Sequence, residues 1–208
     1  MTKYLFIFSL LLFSFTSSTS DYIKLKDASE CKKKIKEKSG STNTLYATFS
    51  ENKFSSLFNN PKSGKGEIYF KKKDKIRWEH TSPISQIILI DGKSIKYQED
   101  KKEVNNVTTT KIVKKIQSLM VNLISGDFLN EKDFAIEYLS NQLNYKLILR
   151  PTSSKLSKYI QKVELVFDIK NLALKEMTLE ETATEKVVYG FSNVSFNKTI
   201  EDNKFTKF

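Results

Sequence analysis

Apolar and polar residues alternate with a period of two along most of the chain, and this pattern is typical of antiparallel strands with one buried face. The pair Asp91–Gly92 between two such runs is a strong hairpin signal. The segment Gln86 to Ile90 is apolar on both faces, so the register of its inner face stays ambiguous by one residue. We predict a mainly β fold of about eleven antiparallel strands that closes as a barrel or curls around an apolar interior.

Two segments have helical periodicity instead. The first, Asp27 to Lys38, has a thin apolar stripe that contains Cys31 and Ile35, so we expect Cys31 to be an inert, packed thiol. The second runs from Thr109 to Ser125 and is followed by Gly126. Its strongly apolar face is suited to fill the mouth of the sheet interior. That face consists of Ile112, Val113, Ile116, Leu119, Met120, Leu123 and Ile124.

The first twenty residues have the layout of a secretory signal peptide. Lys3 precedes the apolar run Leu5 to Phe15, and small polar residues follow that run. We predict cleavage near Ser18 to Ser20, leaving residues 21–208 as one exported domain; a retained membrane anchor is the alternative. No cysteine follows the apolar run directly, because the only cysteine is Cys31, so we expect the mature chain to carry no lipid anchor.

Composition narrows the function classes. The net charge is +11, but almost all of the basic residues are lysines, with Arg77 and Arg150 as the only arginines. Specific nucleic-acid readers favour arginine, so we predict a solvated lysine surface and no nucleic-acid partner. One histidine and one cysteine cannot form a zinc cluster, and no catalytic motif is present around His80. We therefore expect no enzyme activity, no catalytic residue, no metal and no cofactor.

The segment from Phe70 to Asp100 reads FKKKDKIRWEHTSPISQIILIDGKSIKYQED. It resembles the periplasmic outer-membrane lipoprotein carrier proteins, the LolA family. An upstream strand with Phe49 as its aromatic residue resembles the first strand of the family, and residues 109–125 lie where the family has its lid helix. The matching residues in the segment are Phe70, Arg77, Trp78, Glu79, Pro83, Asp91, Gly92, Lys93 and Tyr97.

The resemblance implies an incomplete, half-open barrel of eleven antiparallel strands, with helices that form a lid over a hydrophobic cavity. It also implies a periplasmic carrier that takes acylated lipoproteins from an ATP-driven release complex in the inner membrane. The carrier delivers them to a lipoprotein acceptor at the outer membrane. Because the chain lacks the acceptor's lipidated cysteine, we expect the soluble, monomeric carrier.

The candidate site has three parts. For each cavity residue, ordinary core packing is the alternative, because a core and a cavity use the same residue types. Lys72 is the expected contact to the lid, and it stands where the family has an arginine, so it lacks the arginine's forked donor geometry. The expected cavity residues are Phe49, Phe70, Trp78, Ile88, Ile90, Ile95 and Tyr97. The expected lid residues are Ile112, Ile116, Leu119, Met120 and Leu123.

A second function stays open at this point. A related envelope barrel that binds another lipid or a small apolar ligand, or that acts as an envelope sensor, would have every one of these features. A lipoprotein-transfer assay separates the two functions.

Overall fold

The computed structural model describes residues 21–72, 74–92, 94–104, 129 and 132–208. Within them the chain forms one twelve-stranded sheet, a long helix, a one-turn helix and a C-terminal 3-10 helix. Among these residues, no helix has both the length and the apolar character that crossing a bilayer requires. The elements are β1 (Ile23–Lys24), α1 (Ser29–Ser41), β2 (Thr44–Phe54), β3 (Lys62–Lys71), β4 (Lys75–Ser82), β5 (Gln86–Asp91), β6 (Ser94–Glu99), β7 (Lys102–Glu103), β8 (Phe134–Ser140), β9 (Asn144–Pro151), α2 (Ser154–Ser157), β10 (Lys162–Asp168), β11 (Leu174–Glu180), β12 (Lys186–Phe196) and the 3-10 helix Asp202–Phe205.

The strands are ordered β1-β8-β9-β10-β11-β12-β2-β3-β4-β5-β6-β7, and every neighbouring pair is antiparallel. Within the described residues β1 and β7 are the two edges, and the sheet does not close between them. The predicted mainly β class and the antiparallel, unclosed sheet are therefore confirmed. The pairing of β12 with β2 joins the two ends of the chain at the centre of the sheet.

The sheet has twelve strands where the sequence predicts about eleven, because two of the strands are too short to be predicted. The edge strands β1 and β7 have two residues each, which is too short to show any alternation. Residues 187–196, in which the apolar alternation changes phase between Phe191 and Val194, form one continuous strand, β12. Its register against β2 shifts between Ser192 and Ser195, where Asn193 has a φ of 52°. This irregularity breaks the period-two pattern without ending the strand.

Strand β5 is buried on both faces, which explains its continuous apolar sequence. Ile88 and Ile90 belong to the main core on the inner face of the sheet, whereas Ile87 and Leu89 are buried outside that core. The 3-10 helix at residues 202–205 packs against β4 and β5. The C-terminal segment therefore covers the outer face at this point, and the register of β5 is settled with Ile88 and Ile90 inside.

Arg77 holds this C-terminal segment. Its Nη1 donates to the carbonyl oxygens of Lys207, at 2.7 Å, and Lys204, at 3.3 Å, while its Nε donates to Glu79 Oε2 at 2.7 Å. The guanidinium is buried, and these acceptors compensate for its removal from water. Arg77 thus has a structural role on the outer face.

Helix α1 lies on the inner face of the sheet. Cys31 and Ile35 are its buried residues, and both belong to the same core cluster as Phe49 and Trp78. The helix runs from Ser29 to Ser41, close to the predicted Asp27 to Lys38 but continuing past Gly40. Asp27 Oδ1 accepts a hydrogen bond from the Ser29 N–H at 2.8 Å, which satisfies a donor in the first turn.

The position of Cys31 predicts a slow thiol. Burial raises the pKa of Cys31 to about 11, so at pH 8 only about one thiol in a thousand is ionised. We expect alkylation by iodoacetamide to be at least about 100-fold slower in the native protein than in urea. The rate is measured by mass spectrometry at the same pH. Equal rates in the two conditions would mean that Cys31 is not buried in solution.

Candidate functional site

An apolar cavity of about 80 Å³ lies between the C-terminal end of α1 and the inner face of the sheet. Its walls come from α1, from β2 and β3, and from β10 to β12, so it opens beside the seam where β12 pairs with β2. The cavity is lined by Lys38, Ser39, Thr42, Leu45, Ala47, Ile68, Leu165, Phe167, Leu172, Leu174, Phe191, Val194 and Phe196.

Local sequence patterns explain how each wall is built. On β2 the alternation directs Leu45 and Ala47 inward, and both lie beside α1 because the helix ends immediately before that strand. The tight turn after β10 contributes Leu172, which adopts a φ of 57°. Thr42 Oγ1 donates to the carbonyl oxygen of Lys38 at 2.7 Å, and this bond closes the last turn of α1 over the cavity.

A cluster of aromatic rings adjoins the cavity on the inner face. Phe49 lies at its centre, with ring centroids 4.7 Å from Trp78, 5.2 Å from His80, 5.8 Å from Tyr189 and 6.5 Å from Phe191. We call these five residues the aromatic cluster. Phe191 belongs to both features, so the cluster continues the cavity wall towards β4.

Two glycines of β3 make the space for the cluster. A Cβ at Gly66 would overlap the Phe49 ring and the carbonyl oxygen of Glu79, and a Cβ at Gly64 would lie 3.1 Å from Glu51 Oε2. The side chains of β2 therefore lie directly over the backbone of β3. The sequence Gly64-Lys65-Gly66 is the signal for this close approach, because glycine inside a strand often marks a packed backbone.

One carboxylate is buried beside the aromatic cluster. Glu51 is 5% exposed, and its Oε1 accepts the Tyr189 hydroxyl at 2.7 Å. His80 Nε2 lies 3.5 Å from Glu51 Oε2 and forms no aligned hydrogen bond with any described residue. Burial raises the pKa of Glu51, but His80, the Tyr189 hydrogen bond and the charge of Lys53 outweigh it, so this pKa lies below the ordinary range. Glu51 is therefore ionised at neutral pH, and burial together with this charge raises the pKa of Tyr189.

The seven predicted cavity residues share one face of strands β2 to β6. The cross-strand pairs Trp78–Ile88, Ile88–Tyr97 and Ile90–Ile95 keep them in register. Five are buried, and Ile95 and Tyr97 are partly exposed. None lines the cavity beside α1, although Phe49 and Trp78 contact Phe191 in its wall. Contact between these seven residues and an acyl chain stays a prediction.

The predicted lid residues Ile112, Ile116, Leu119, Met120 and Leu123 lie outside the described residues, as does the predicted signal peptide. Within the described residues, Lys72 contacts helix α1. Its Nζ donates to the carbonyl oxygen of Gly40 at 2.6 Å, and its backbone N–H donates to Asn43. Lys72 therefore stabilises the end of α1 that borders the cavity, and its bond to the predicted lid stays untested.

The sequence did not predict that residues of β10, β11 and β12 line the cavity. Alternation assigns them to a buried face, but it does not show which strands lie beside α1, because the β12–β2 pairing joins distant parts of the chain. Glu51 was missed although its position is in phase with Leu45, Ala47 and Phe49. A charged residue in phase with a buried face was the signal that would have found it.

Comparison with known proteins relates the sequence of this chain to a family of carrier proteins. The family model described as outer membrane lipoprotein carrier protein LolA matches residues 40–207. An outer-membrane lipoprotein carrier protein of Nitrosomonas europaea is 23% identical over 162 residues, which are 78% of this chain and 77% of the relative. One of Dechloromonas aromatica is 32% identical over 96 residues, 46% of this chain and 45% of that relative.

A solved structure of a LolA superfamily protein from Nitrosomonas europaea is 13% identical, with a TM-score of 0.42. The match covers 85% of this chain and 97% of the chain in that structure. The family model extends from the end of α1 to the C-terminal segment and so includes all but one of the twelve strands. The chain therefore belongs to the LolA family of outer membrane lipoprotein carrier proteins.

Proposed function

We propose that this protein is a periplasmic carrier that holds the acyl chains of lipoproteins inside its sheet. It takes them from the inner membrane and delivers them to the outer membrane. The observation that carries the proposal is the family match over residues 40–207, in a chain whose sheet has an apolar cavity beside α1. The predicted signal peptide at residues 1–20 supports export to the compartment where such a carrier works.

The physical need for a carrier is large. Removing one acyl CH₂ from water is worth about 0.8 kcal/mol, so a sixteen-carbon chain exposed to water loses about 12 kcal/mol. A lipoprotein therefore crosses an aqueous compartment only inside a container with an apolar interior. The inner face of this sheet, with its wall of aliphatic and aromatic side chains, is a suitable container.

The cavity has to enlarge to receive cargo. Its volume of about 80 Å³ is well below the range of about 300–1,000 Å³ that is usual for ligand pockets. We propose that the cargo separates α1 and the inner face and that the chain then extends towards the aromatic cluster. Ile95 and Tyr97, which are partly exposed on β6, are the proposed far end of this path.

The apolar helix of residues 109–125 is the proposed lid. Cargo binding has to displace it, so the affinity for cargo depends on the balance between closed and open states. The proposed partners are acylated lipoproteins, the ATP-driven release complex and the outer-membrane acceptor, and the proposed carrier is a monomer. Lys72 is the proposed link between the sheet and the helices that cover it.

The test is hydrogen exchange of residues 109–125 with an acylated peptide and with the same peptide lacking the acyl chain. We expect only the acylated peptide to lower protection. Leu119→Asn should lower protection of the empty protein, because it costs the lid about 2–3 kcal/mol of apolar contact. Gln117→Asn on the polar side of the same helix is the matched control. If residues 109–125 are equally protected with and without the acylated peptide, and Leu119→Asn leaves that protection unchanged, the segment is a core helix.

A transfer assay then separates carriage from simple binding. Purified protein is loaded with a fluorescent lipoprotein from inner-membrane vesicles and mixed with vesicles that carry the acceptor. We expect delivery only to the acceptor vesicles. Binding of the acylated peptide without delivery would instead identify a barrel for another lipid or a sensor.

A further inference from the structure

We propose that the cavity beside α1 binds acyl amphiphiles with an anionic head group, a carboxylate or a phosphate, and that Lys38 pairs with that group. The inference rests on the proposed function only in that an acyl chain fills the cavity. It goes beyond lipoprotein cargo, because ester-linked and amide-linked acyl chains bring no charge to the site.

The first observation is the composition of the cavity wall. Among the described residues that line the cavity, Lys38 is the only charged one, and no carboxylate lines it. The remaining wall is apolar apart from the Ser39 and Thr42 hydroxyls, which lie on the same side as Lys38. The polar part of the cavity is therefore confined to the end of α1, and the opposite side is suited only to a hydrocarbon chain.

The second observation is the position of the ammonium group. Lys38 Nζ lies 3.5 Å from the centroid of the Phe196 ring, and Phe196 is itself part of the cavity wall. The side chain is therefore turned towards the cavity, at its border with solvent. Its partial burial lowers the pKa of Lys38, which is the effect expected for an ammonium that loses water without gaining an anion.

The third observation is that two other lysines of α1, Lys33 and Lys34, have a carboxylate within 4.0 Å, whereas Lys38 has none among the described residues. Lys34 lies 2.6 Å from Glu30 and Lys33 lies 3.9 Å from Glu37, both as i,i+4 pairs. The residue four positions before Lys38 is Lys34, and within the described part of the chain no carboxylate lies within 4.0 Å of Lys38. A ligand anion at the cavity border supplies the missing counter-charge in a site that water screens only partly.

The experiment compares three twelve-carbon ligands, dodecanoate, dodecyl phosphate and dodecanol, by displacement of a fluorescent fatty acid at about pH 7.5, where the carboxylate is ionised. We expect the two anions to bind about tenfold to hundredfold more tightly than the alcohol. The anion that binds more tightly identifies the preferred head group, a carboxylate for dodecanoate or a phosphate for dodecyl phosphate. Lys38→Met should reduce the preference to less than about threefold while dodecanol still binds. Lys36→Met, at an exposed position on the same helix, should keep the full preference for anions.

The outcomes separate this inference from the proposed function. Equal binding of all three ligands would keep the acyl cavity and overturn the role of Lys38. If Lys38→Met still prefers the anions, the preference comes from the general positive charge of the protein. That result would also overturn the inference. If none of the three binds, the acyl cavity itself is wrong. Circular dichroism of each variant confirms that it is folded.

Discussion

Replacing Phe49 by alanine should lower the free energy of unfolding by about 3–5 kcal/mol, the cost of deleting a buried aromatic ring. Phe49 is 3% exposed, and its ring contacts Trp78 and Tyr189 and lies over the backbone at Gly66. The surrounding strands are hydrogen-bonded on both sides of β2 and cannot collapse into the space. The measurement is urea unfolding followed by the fluorescence of Trp78, the only tryptophan, which contacts the deleted ring.

Phe54→Ala is the matched control on the same strand. Phe54 is 36% exposed at the end of β2, and Lys186 Nζ lies 5.1 Å from the centroid of its ring. We expect a loss within about 1 kcal/mol for this change. A similar small loss for Phe49→Ala would contradict the packed cluster. It would indicate that this part of the inner face is already open in the empty protein.

Most strands and the first helix could be predicted from the sequence because they depend on local patterns of apolar and polar residues. Alternation identified nine of the ten long strands, the continuous apolar run from Gln86 to Ile90 identified β5, and Asp91–Gly92 identified the hairpin between β5 and β6. The glycine there has a φ of 57°, a conformation that residues with a side chain adopt at a cost. The two-residue edge strands and the C-terminal 3-10 helix have no comparable signal, so they were not predicted.

The cavity could not be predicted as well as the strands, because it depends on contacts between distant parts of the chain. The sequence indicated which residues are buried, and it placed Phe49, Trp78 and Ile88 on one inner face as the structure does. It did not indicate that the cavity lies under α1, since that depends on β12 pairing with β2, which is distant from it in the sequence. The apolar pattern of a wall is the same whether its neighbour is another side chain or an empty space.

Filling the cavity should abolish most acyl binding without unfolding the protein. Ala47 is buried in β2 and lines the cavity, so Ala47→Leu places three more carbon atoms into its volume of about 80 Å³. Because the added atoms enter existing space, we expect a change in the free energy of unfolding within about 1.5 kcal/mol. Excluding even two methylenes of the ligand, at about 0.8 kcal/mol each, weakens binding about tenfold or more.

The measurement is displacement of a fluorescent fatty acid by an acylated peptide, with urea unfolding of each variant run in parallel. Ala135→Leu makes the same change at an exposed position of β8 and should keep the affinity of the unmodified protein. If Ala47→Leu binds the peptide as tightly as Ala135→Leu does, the acyl chain does not enter the cavity beside α1. The acyl chain would then have to lie along the other part of the inner face, over Ile95 and Tyr97. These residues are partly exposed, and a chain can reach them without passing Ala47. The tenfold loss is therefore expected only if the space under α1 is the place where the acyl chain enters.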